Sequence, residues 1–249
     1  MTSTHNILVS VVTVTLNAEK VIEDTIKSVI RQTYPNIEYV VVDGCSGDGT
    51  IKIVDLYSSK IHKIVEERDA GIYDAMNKSL SLISGDFVIF MNAGDRFLVD
   101  DAIESFVTHV CDSEAVYYCD SLFVDPIHNR SFVYGGIFNI YRLCFENICH
   151  QAIFYPRNLY TKYSYNLRYR VFADYDYNLN LYSLHYKFIY FPFVLSYYDL
   201  DGISTRMKDD FFQDKAKLIL HRFGFYYYIY YILKKHIRIR RFLKLFLPI

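Results

Sequence analysis

Phe87-Val88-Ile89-Phe90-Met91-Asn92-Ala93-Gly94-Asp95 is the stretch on which the fold turns. Its first five residues are apolar, β-branched or aromatic, with no polar member, and read as a buried central strand. A small-residue turn carrying one carboxylate follows. In open α/β sheets, ligands bind outside the carboxyl ends of the strands, so Asp95 stands where a ligand is expected. A lone carboxylate there suits Mg²⁺ or Mn²⁺, which take few protein oxygens and leave the rest to phosphate and water. Ordinary turn chemistry is the competing reading.

The residues before this stretch repeat the same rhythm. Ile7–Thr15 reads as a strand, and Asn17 to Gln32 as a turn and helix with Val21, Thr25, Ile26, Val29 and Ile30 at helical spacing. Ile37–Val42 is a second strand, ending at Asp43, and the polar loop Gly44–Thr50 leads into a helix over 51–57. Ile61–Val65 is a third strand. Gly71–Ile83 reads as a helix with Ile72, Ala75, Met76, Leu80 and Ile83 on its apolar face. Three strand–helix units in about 90 residues imply a parallel sheet with right-handed crossovers. After residue 100 come a helix over 102–110, a strand over 115–119 and a Tyr/Phe-rich mixed-strand region to Tyr198. The segment from Phe211 to Ile249 is helical.

Four polar clusters then fall at the ends of successive strands: Thr15 and Asn17; Asp43 with Ser46 and Asp48; Glu67, Arg68 and Asp69; Asn92 and Asp95. A parallel sheet brings all four to one edge. Singly, each has a plainer reading: Asn17 as a helix N-cap, Asp48-Gly49 as a turn, Asp69 as a cap for the helix at Gly71. There is no GxGxxG after the first strand and no GxxxxGK[ST] anywhere, which argues against a dinucleotide oxidoreductase and a P-loop NTPase. Asp43 is placed to accept from a nucleobase N–H or a ribose hydroxyl.

The 249 residues are 52% hydrophobic, ample for a core. Net charge is −1, but from Lys215 onward there are nine Lys/Arg and no Asp/Glu, leaving 18 basic against 28 acidic side chains before it. A basic tail on an acidic body points to an anionic surface. Five cysteines without CxxC spacing make neither a disulfide framework nor a zinc site, and fit a reducing cytosol. The first residues lack a basic n-region and a cleavage site, so Ile7–Val14 is read as a strand and not as a signal peptide.

The motifs Ser10-Val11-Val12-Thr13-Val14-Thr15-Leu16-Asn17, Ser28-Val29-Ile30-Arg31-Gln32-Thr33-Tyr34, Asp43-Gly44-Cys45-Ser46-Gly47-Asp48-Gly49-Thr50, Asp69-Ala70-Gly71-Ile72-Tyr73-Asp74-Ala75-Met76-Asn77-Lys78 and Asn92-Ala93-Gly94-Asp95, in this order, resemble the family 2 glycosyltransferases, most of all the bacterial O-antigen, capsule and colanic-acid subgroup. The resemblance covers residues 7–100 closely and continues thinly to about 205. It implies the inverting GT-A fold: an α/β, Rossmann-like, mostly parallel sheet flanked by helices, here with a C-terminal amphipathic helical extension. It implies that Thr15, Asn17 and Asp43 hold the uracil and ribose of a UDP-sugar, that Ser46 and Asp48 shape that pocket, and that Asp95 holds Mn²⁺ or Mg²⁺ on the diphosphate. Arg68, Asp69, Asn92, Ala93 and Gly94 join the donor site. Asn92 departs from the commoner Asp-x-Asp pattern and leaves one strong ligand. Asp74, Asn77 and Lys78 share a helix face and are expected to reach sugar hydroxyls or phosphate. Within Ala173-Asp174-Tyr175-Asp176, the resemblance makes Asp174 the general base that deprotonates the acceptor hydroxyl, with Asp176 as rival. His150-Gln151 and Ser204, in Asp201-Gly202-Ile203-Ser204, are implied to touch acceptor or phosphate.

Phe223–Leu233 carries five tyrosines and is followed by Lys234, Lys235, Arg238, Arg240, Arg241 and Lys244 among apolar residues. The apolar run is shorter than the roughly 20 residues of a spanning helix. Tyr at headgroup level with Lys/Arg reaching lipid phosphates describes an interfacial helix, so the expected partner of residues 223–247 is a membrane surface and not nucleic acid. Residues 1–210 then form the GT-A domain, with 1–100 as the nucleotide-sugar half and 101–210 as the acceptor half, and residues 211–249 the membrane-associating tail. The expected activity is transfer of a hexose or N-acetylhexosamine from a UDP-sugar to a lipid-diphosphate-linked saccharide, at the inner face of the cell membrane. Two alternatives remain at this stage: a silent nucleotide-sugar sensor, and a sugar nucleotidyltransferase, for which Thr15-Leu16-Asn17-Ala18 lacks the Gly-rich basic loop.

Overall fold

A computed structural model describes residues 7–200 and 209–246, with side chains as far as His236. In chain order the elements are β1 (Val9–Thr15), α1 (Ile22–Ile30), β2 (Ile37–Asp43), α2 (Thr50–Leu56), β3 (Lys63–Glu66), α3 (Ile72–Ser79), β4 (Phe87–Phe90), β5 (Arg96–Phe97), α4 (Ala102–His109), β6 (Val116–Asp125), β7 (Arg130–Tyr134), α5 (Ile140–Leu143), β8 (Ile153–Pro156), α6 (Arg157–Tyr160), α7 (Ala173–Ser183), β9 (Phe188–Asp199), α8 (Phe211–Phe223) and α9 (Phe225–Phe246).

The first four main strands pair in parallel, in the order β3-β2-β1-β4. Beyond β4 the sheet changes character. β8 runs antiparallel to β4 and to β6, β9 runs parallel to β6, and β5 pairs antiparallel with β9. The short β7 folds back on β6 as a hairpin. This is the α/β fold expected, with a mixed second half. Its Tyr/Phe-rich segments carry no clean apolar–polar alternation, so their pairing was not legible from periodicity.

Both faces of the sheet are covered. Val12, Val14, Val40, Val42, Val88 and Phe90 pack toward α3 and α7 through Met76, Ala173, Leu179 and Leu181. Val9, Val11, Tyr39, Val41, Phe87 and Ile89 pack toward α1, α2 and α4 through Ile22, Ile26, Val54 and Phe106. Ala75, Met76, Leu80 and Ile83 pack into the core as expected, but the helix stops at Ser79 and not at Ile83, and its first turn is rotated. Ile72 is exposed and Tyr73 points into the core, because α3 begins only at Ile72 and its inner stripe runs through Tyr73, Ala75, Met76 and Ser79.

The C-terminal segment is two helices. Gly224, at φ +85°, ends α8 in a conformation that glycine alone adopts without strain. α8 packs on α7, and α9 packs back on α8 and on the 140–145 segment. Among the described residues no helix is long and apolar enough to cross a membrane.

The entry to β4 leaves no room for a side chain. A Cβ on Gly85 would lie 2.6 Å from the Ser10 backbone nitrogen and 2.8 Å from the Phe87 carbonyl oxygen. Gly85→Ala is therefore expected to lower stability by about 1–3 kcal/mol, measured by urea denaturation.

Candidate active site

Parallel pairing brings the ends of β1, β2 and β3 level: Thr15 is the register partner of Asp43, and Asp43 of Glu66. The loops after β1 and β2 are bonded into one unit. Asn17, at φ 50°, accepts from the Gly47 N–H at 2.8 Å, and its own N–H donates to Ser46 Oγ at 2.8 Å. Asn tolerates this left-handed backbone better than most residues. Ser46 donates from its N–H and its hydroxyl to the two oxygens of Asp43, at 2.6 and 2.5 Å. Asp43 is fully buried beneath that loop. Asp48 accepts from the Thr50 hydroxyl and N–H and from the Glu19 N–H. These bonds, the Thr50 hydroxyl first, hold its carboxyl below the usual range. Asn17 caps no helix, since α1 starts at Ile22 without a side-chain cap. The buried hydroxyl of Thr15 has no protein partner.

The Asn92–Asp95 turn is fixed from α1. Thr25 Oγ1 donates to the Asp95 carbonyl at 2.7 Å and accepts from the Gly94 N–H at 3.0 Å. Gly94 there takes φ +103° and, like Ala93, is partly buried. β8 lies antiparallel to β4, so the short 3-10 turn His150–Ala152 that precedes it arrives beside Asp95. His150 Nε2 faces Asp95 Oδ2 at 3.3 Å and Asn92 Nδ2 at 3.0 Å. Its Nδ1 lies 3.8 Å from Asp174 Oδ2. Burial works against a charge on this imidazole, but Asp174 and Asp95 outweigh it and push its pKa up to about 10.

Asp174 sits in the first turn of α7 and is buried. Oδ1 accepts from the Tyr73 hydroxyl at 2.9 Å and the Tyr175 N–H at 2.8 Å, and Oδ2 from Asn147 Nδ2 at 2.9 Å. Burial foremost, and then the charge of Asp174, push the Tyr73 phenol well up, so it remains a donor. Tyr73, Asn147 and Thr25 are the site residues that the sequence did not reveal. Tyr73 lies within the Asp69–Lys78 motif, but nothing in its spacing shows that it reaches a residue 101 positions away.

Other expected ligands have partners inside the protein. Asn77 clasps the backbone of Tyr165, donating to its carbonyl at 2.9 Å and accepting from its N–H at 2.7 Å. Lys78 pairs with Glu67 at 2.9 Å and Asp74 at 3.4 Å, and donates to the Arg68 carbonyl at 2.5 Å. Asp74 also accepts from the Ala70 N–H. These three residues brace the 66–71 loop and the 165 region; the Asp74–Lys78 pair follows from i, i+4 spacing, whereas the contacts with Tyr165, Glu67 and Arg68 are set by tertiary neighbours. Asp69 accepts from the Gly71 N–H and lies over Gly44, where a Cβ would stand 2.5 Å from its Oδ2. The Arg68 side chain is exposed. Asp176 forms a buried ion pair with Arg222 of α8 at 2.8 Å, and so does not share the Asp95–His150–Asp174 cluster. Gln151 is buried, with no protein partner for Nε2. Ser204, with the rest of 201–204, lies outside the described residues.

Among the described residues no three His, Cys, Asp or Glu side chains form a complete metal cage. The oxygens available are the Asp95 carboxylate and Asn92 Oδ1, which is buried and has no protein partner. That donor set fits Mg²⁺ or Mn²⁺ completed by phosphate and water, and an orphaned buried oxygen is the mark of a position that a ligand satisfies.

The family model described as glycosyl transferase family 2 matches residues 10–178. A PGL/p-HBAD biosynthesis glycosyltransferase of Mycobacterium tuberculosis is 35% identical over 209 residues, 80% of each chain. Staphylococcus aureus TarS in complex with UDP-GlcNAc superposes with a TM-score of 0.69 at 18% identity, covering 87% of this chain and 67% of that one. The mannosyltransferase PcManGT from Pyrobaculum calidifontis, in complex with GDP-Man and Mn²⁺, gives a TM-score of 0.62 at 18% identity, covering 90% and 73%.

The Asn77 clasp generates a test of its own. Asn77→Ala leaves both the N–H and the carbonyl of Tyr165 without their partner, and is expected to lower stability by about 1–3 kcal/mol, read from the midpoint of chemical denaturation.

Proposed function

This chain belongs to glycosyl transferase family 2 and has the GT-A fold, and we propose that it moves a hexose or N-acetylhexosamine from a UDP-sugar, with inversion, onto a lipid-diphosphate-linked saccharide of a bacterial surface polysaccharide. The observation that carries the reading is His150, one imidazole facing both Asp95 and Asp174. It joins the end of the nucleotide-side sheet to the first turn of α7. The proposed leaving-group side and the proposed base thus border one site, and inversion requires the acceptor oxygen that Asp174 deprotonates to attack opposite the departing nucleotide. The solved neighbours were seen with UDP-GlcNAc and with GDP-Man, so a nucleotide-sugar donor suits the fold, and UDP is the nucleotide favoured by the sequence resemblance. The relative's role in PGL/p-HBAD biosynthesis supports a cell-envelope product.

In this mechanism Thr15, Asn17 and the Asp43–Asp48 loop hold the nucleoside, with the free Thr15 hydroxyl facing the ligand. Asp95, with Asn92 Oδ1, would hold Mg²⁺ or Mn²⁺, which when bound neutralises charge on the diphosphate. Asp174 takes the proton from the acceptor hydroxyl as that oxygen attacks the anomeric carbon. Tyr73, the Tyr175 N–H and Asn147 orient its carboxylate and leave a lone pair on Oδ2. His150 bridges the two carboxylates, and Gln151 offers a donor to acceptor or phosphate. Residues 1–210 are the catalytic domain in this reading, with donor and acceptor halves meeting at β4 and β8.

α9 is read as the membrane-facing element. Phe225, Tyr226, Ile229 and Leu233 are exposed along it and are followed by exposed Lys234 and Lys235. Apolar rings with flanking cations fit the headgroup layer of an anionic leaflet, which supports a position at the inner face of the cell membrane.

The deciding experiment measures nucleotide release from UDP-glucose, UDP-galactose, UDP-GlcNAc and GDP-mannose with Mn²⁺ or Mg²⁺, with and without a synthetic sugar-diphosphate-lipid. Acceptor-dependent release from one UDP-sugar is expected, and turnover of GDP-mannose alone would overturn the donor assignment. Asp174→Asn should reduce transfer at least a thousandfold while keeping UDP affinity, and full activity would remove it as the base. Asp95→Ala should weaken Mn²⁺-dependent UDP binding at least tenfold in calorimetry, and an unchanged affinity would remove its role.

A further inference from the structure

Two cations from α8 reach the two residues that follow Asp174. Lys215 is only 2% exposed. Its Nζ donates to the Tyr175 hydroxyl at 2.7 Å and lies 4.1 Å from the Tyr175 ring centroid, with Phe211, Phe212 and Tyr231 within 6 Å. The Tyr175 hydroxyl in turn donates to the Leu143 carbonyl at 2.6 Å. Arg222 pairs with the Asp176 carboxylate at 2.8 Å and donates to the Asp176 carbonyl at 2.9 Å. Burying an ammonium and a carboxylate is costly wherever apolar residues would fill the space. Here both lie directly behind the turn that carries Asp174.

A second contact path reaches the same carboxylate from α9. Tyr141 stands against Tyr227 and Tyr230, and Phe145 against Tyr230 and Tyr231. These rings buttress the 140–147 segment, and Asn147 from that segment donates to Asp174 Oδ2. The hairpin α8–α9 thus braces the base from both sides, through Tyr175 and Asp176 on α7 and through Asn147 opposite.

We propose that the C-terminal helical hairpin positions the Asp174 carboxylate for proton abstraction, with Lys215 and Arg222 as the positioning residues through which it acts. The inference rests on the reading of Asp174 as the base. Neither residue touches substrate. The exposed apolar face of α9 and this brace are two sides of one helical hairpin, so the surface proposed for lipid and the geometry of the base are mechanically joined.

The test uses the full chain, the sugar nucleotide turned over in the donor panel, and the variants Lys215→Met, Arg222→Met and Arg222→Lys. Lys215→Met and Arg222→Met should each lower kcat at least tenfold with donor KM and UDP affinity within twofold of the parent, and Arg222→Lys should recover most of the loss. In an Asp174→Asn background the same changes should add no further loss, because the group that they position is gone. A kcat within twofold of the parent overturns the proposal. So does a fall in kcat matched by an equal fall in the UDP-binding fraction, which is the signature of a merely structural role. If Lys215→Met does not fold, the Arg222 pair decides by the same criteria. Full activity of Asp174→Asn is a separate result and would remove the base assignment itself.

Discussion

Strand β4 is buried on both faces, and that burial determines most of what surrounds it. Phe87, Val88, Ile89 and Phe90 are all 0–1% exposed, so the strand's N–H and C=O groups have no water to turn to and must be paired along both edges. One edge is met by β1, in parallel. The other is met by β8, in the opposite direction. An antiparallel neighbour begins where β4 ends, so the residues entering β8 stand beside the residues leaving β4. His150 meets Asp95 for that reason.

The polar site is then held by groups that are themselves fixed. Thr25 ties the Asn92–Asp95 turn to α1, Ser46 ties Asp43 to its own loop, and Tyr73 and Asn147 tie Asp174 from two different elements. His150 lies between two buried carboxylates, with Nε2 3.3 Å from Asp95 and Nδ1 3.8 Å from Asp174. The chain's 25 tyrosines and absence of tryptophan fit this construction. Tyr73, Tyr155, Tyr160 and Tyr175 fill core volume while their hydroxyls donate to Asp174, Asn178, Gly85 and Leu143. A buried tyrosine supplies both packing area and a hydrogen bond, provided that its partner is in reach.

The same economy links the catalytic helix to the end of the chain. α7 has Asp176 where a solvent-facing helix would place an ordinary surface carboxylate, and its partner Arg222 comes from an element 46 residues on. The basic character of the tail therefore has two parts. Lys215 and Arg222 face inward onto α7, whereas Lys234 and Lys235 face solvent.

The parallel half of the sheet, the edge where Thr15, Asp43 and Asp95 gather, and the helical character of the tail were legible in the sequence. They follow from local rules: an unbroken apolar run can only be a buried strand or helix segment, and strand–helix alternation forces parallel pairing. The order of β8, β6 and β9, the inward turn of Tyr73, the clasp of Asn77 on Tyr165 and the pairing of Asp176 with Arg222 were decided by the tertiary structure. Each depends on which distant segment supplies the missing hydrogen-bond partner or counter-charge. A side chain's spacing reports the face on which it lies, but not the group that faces it.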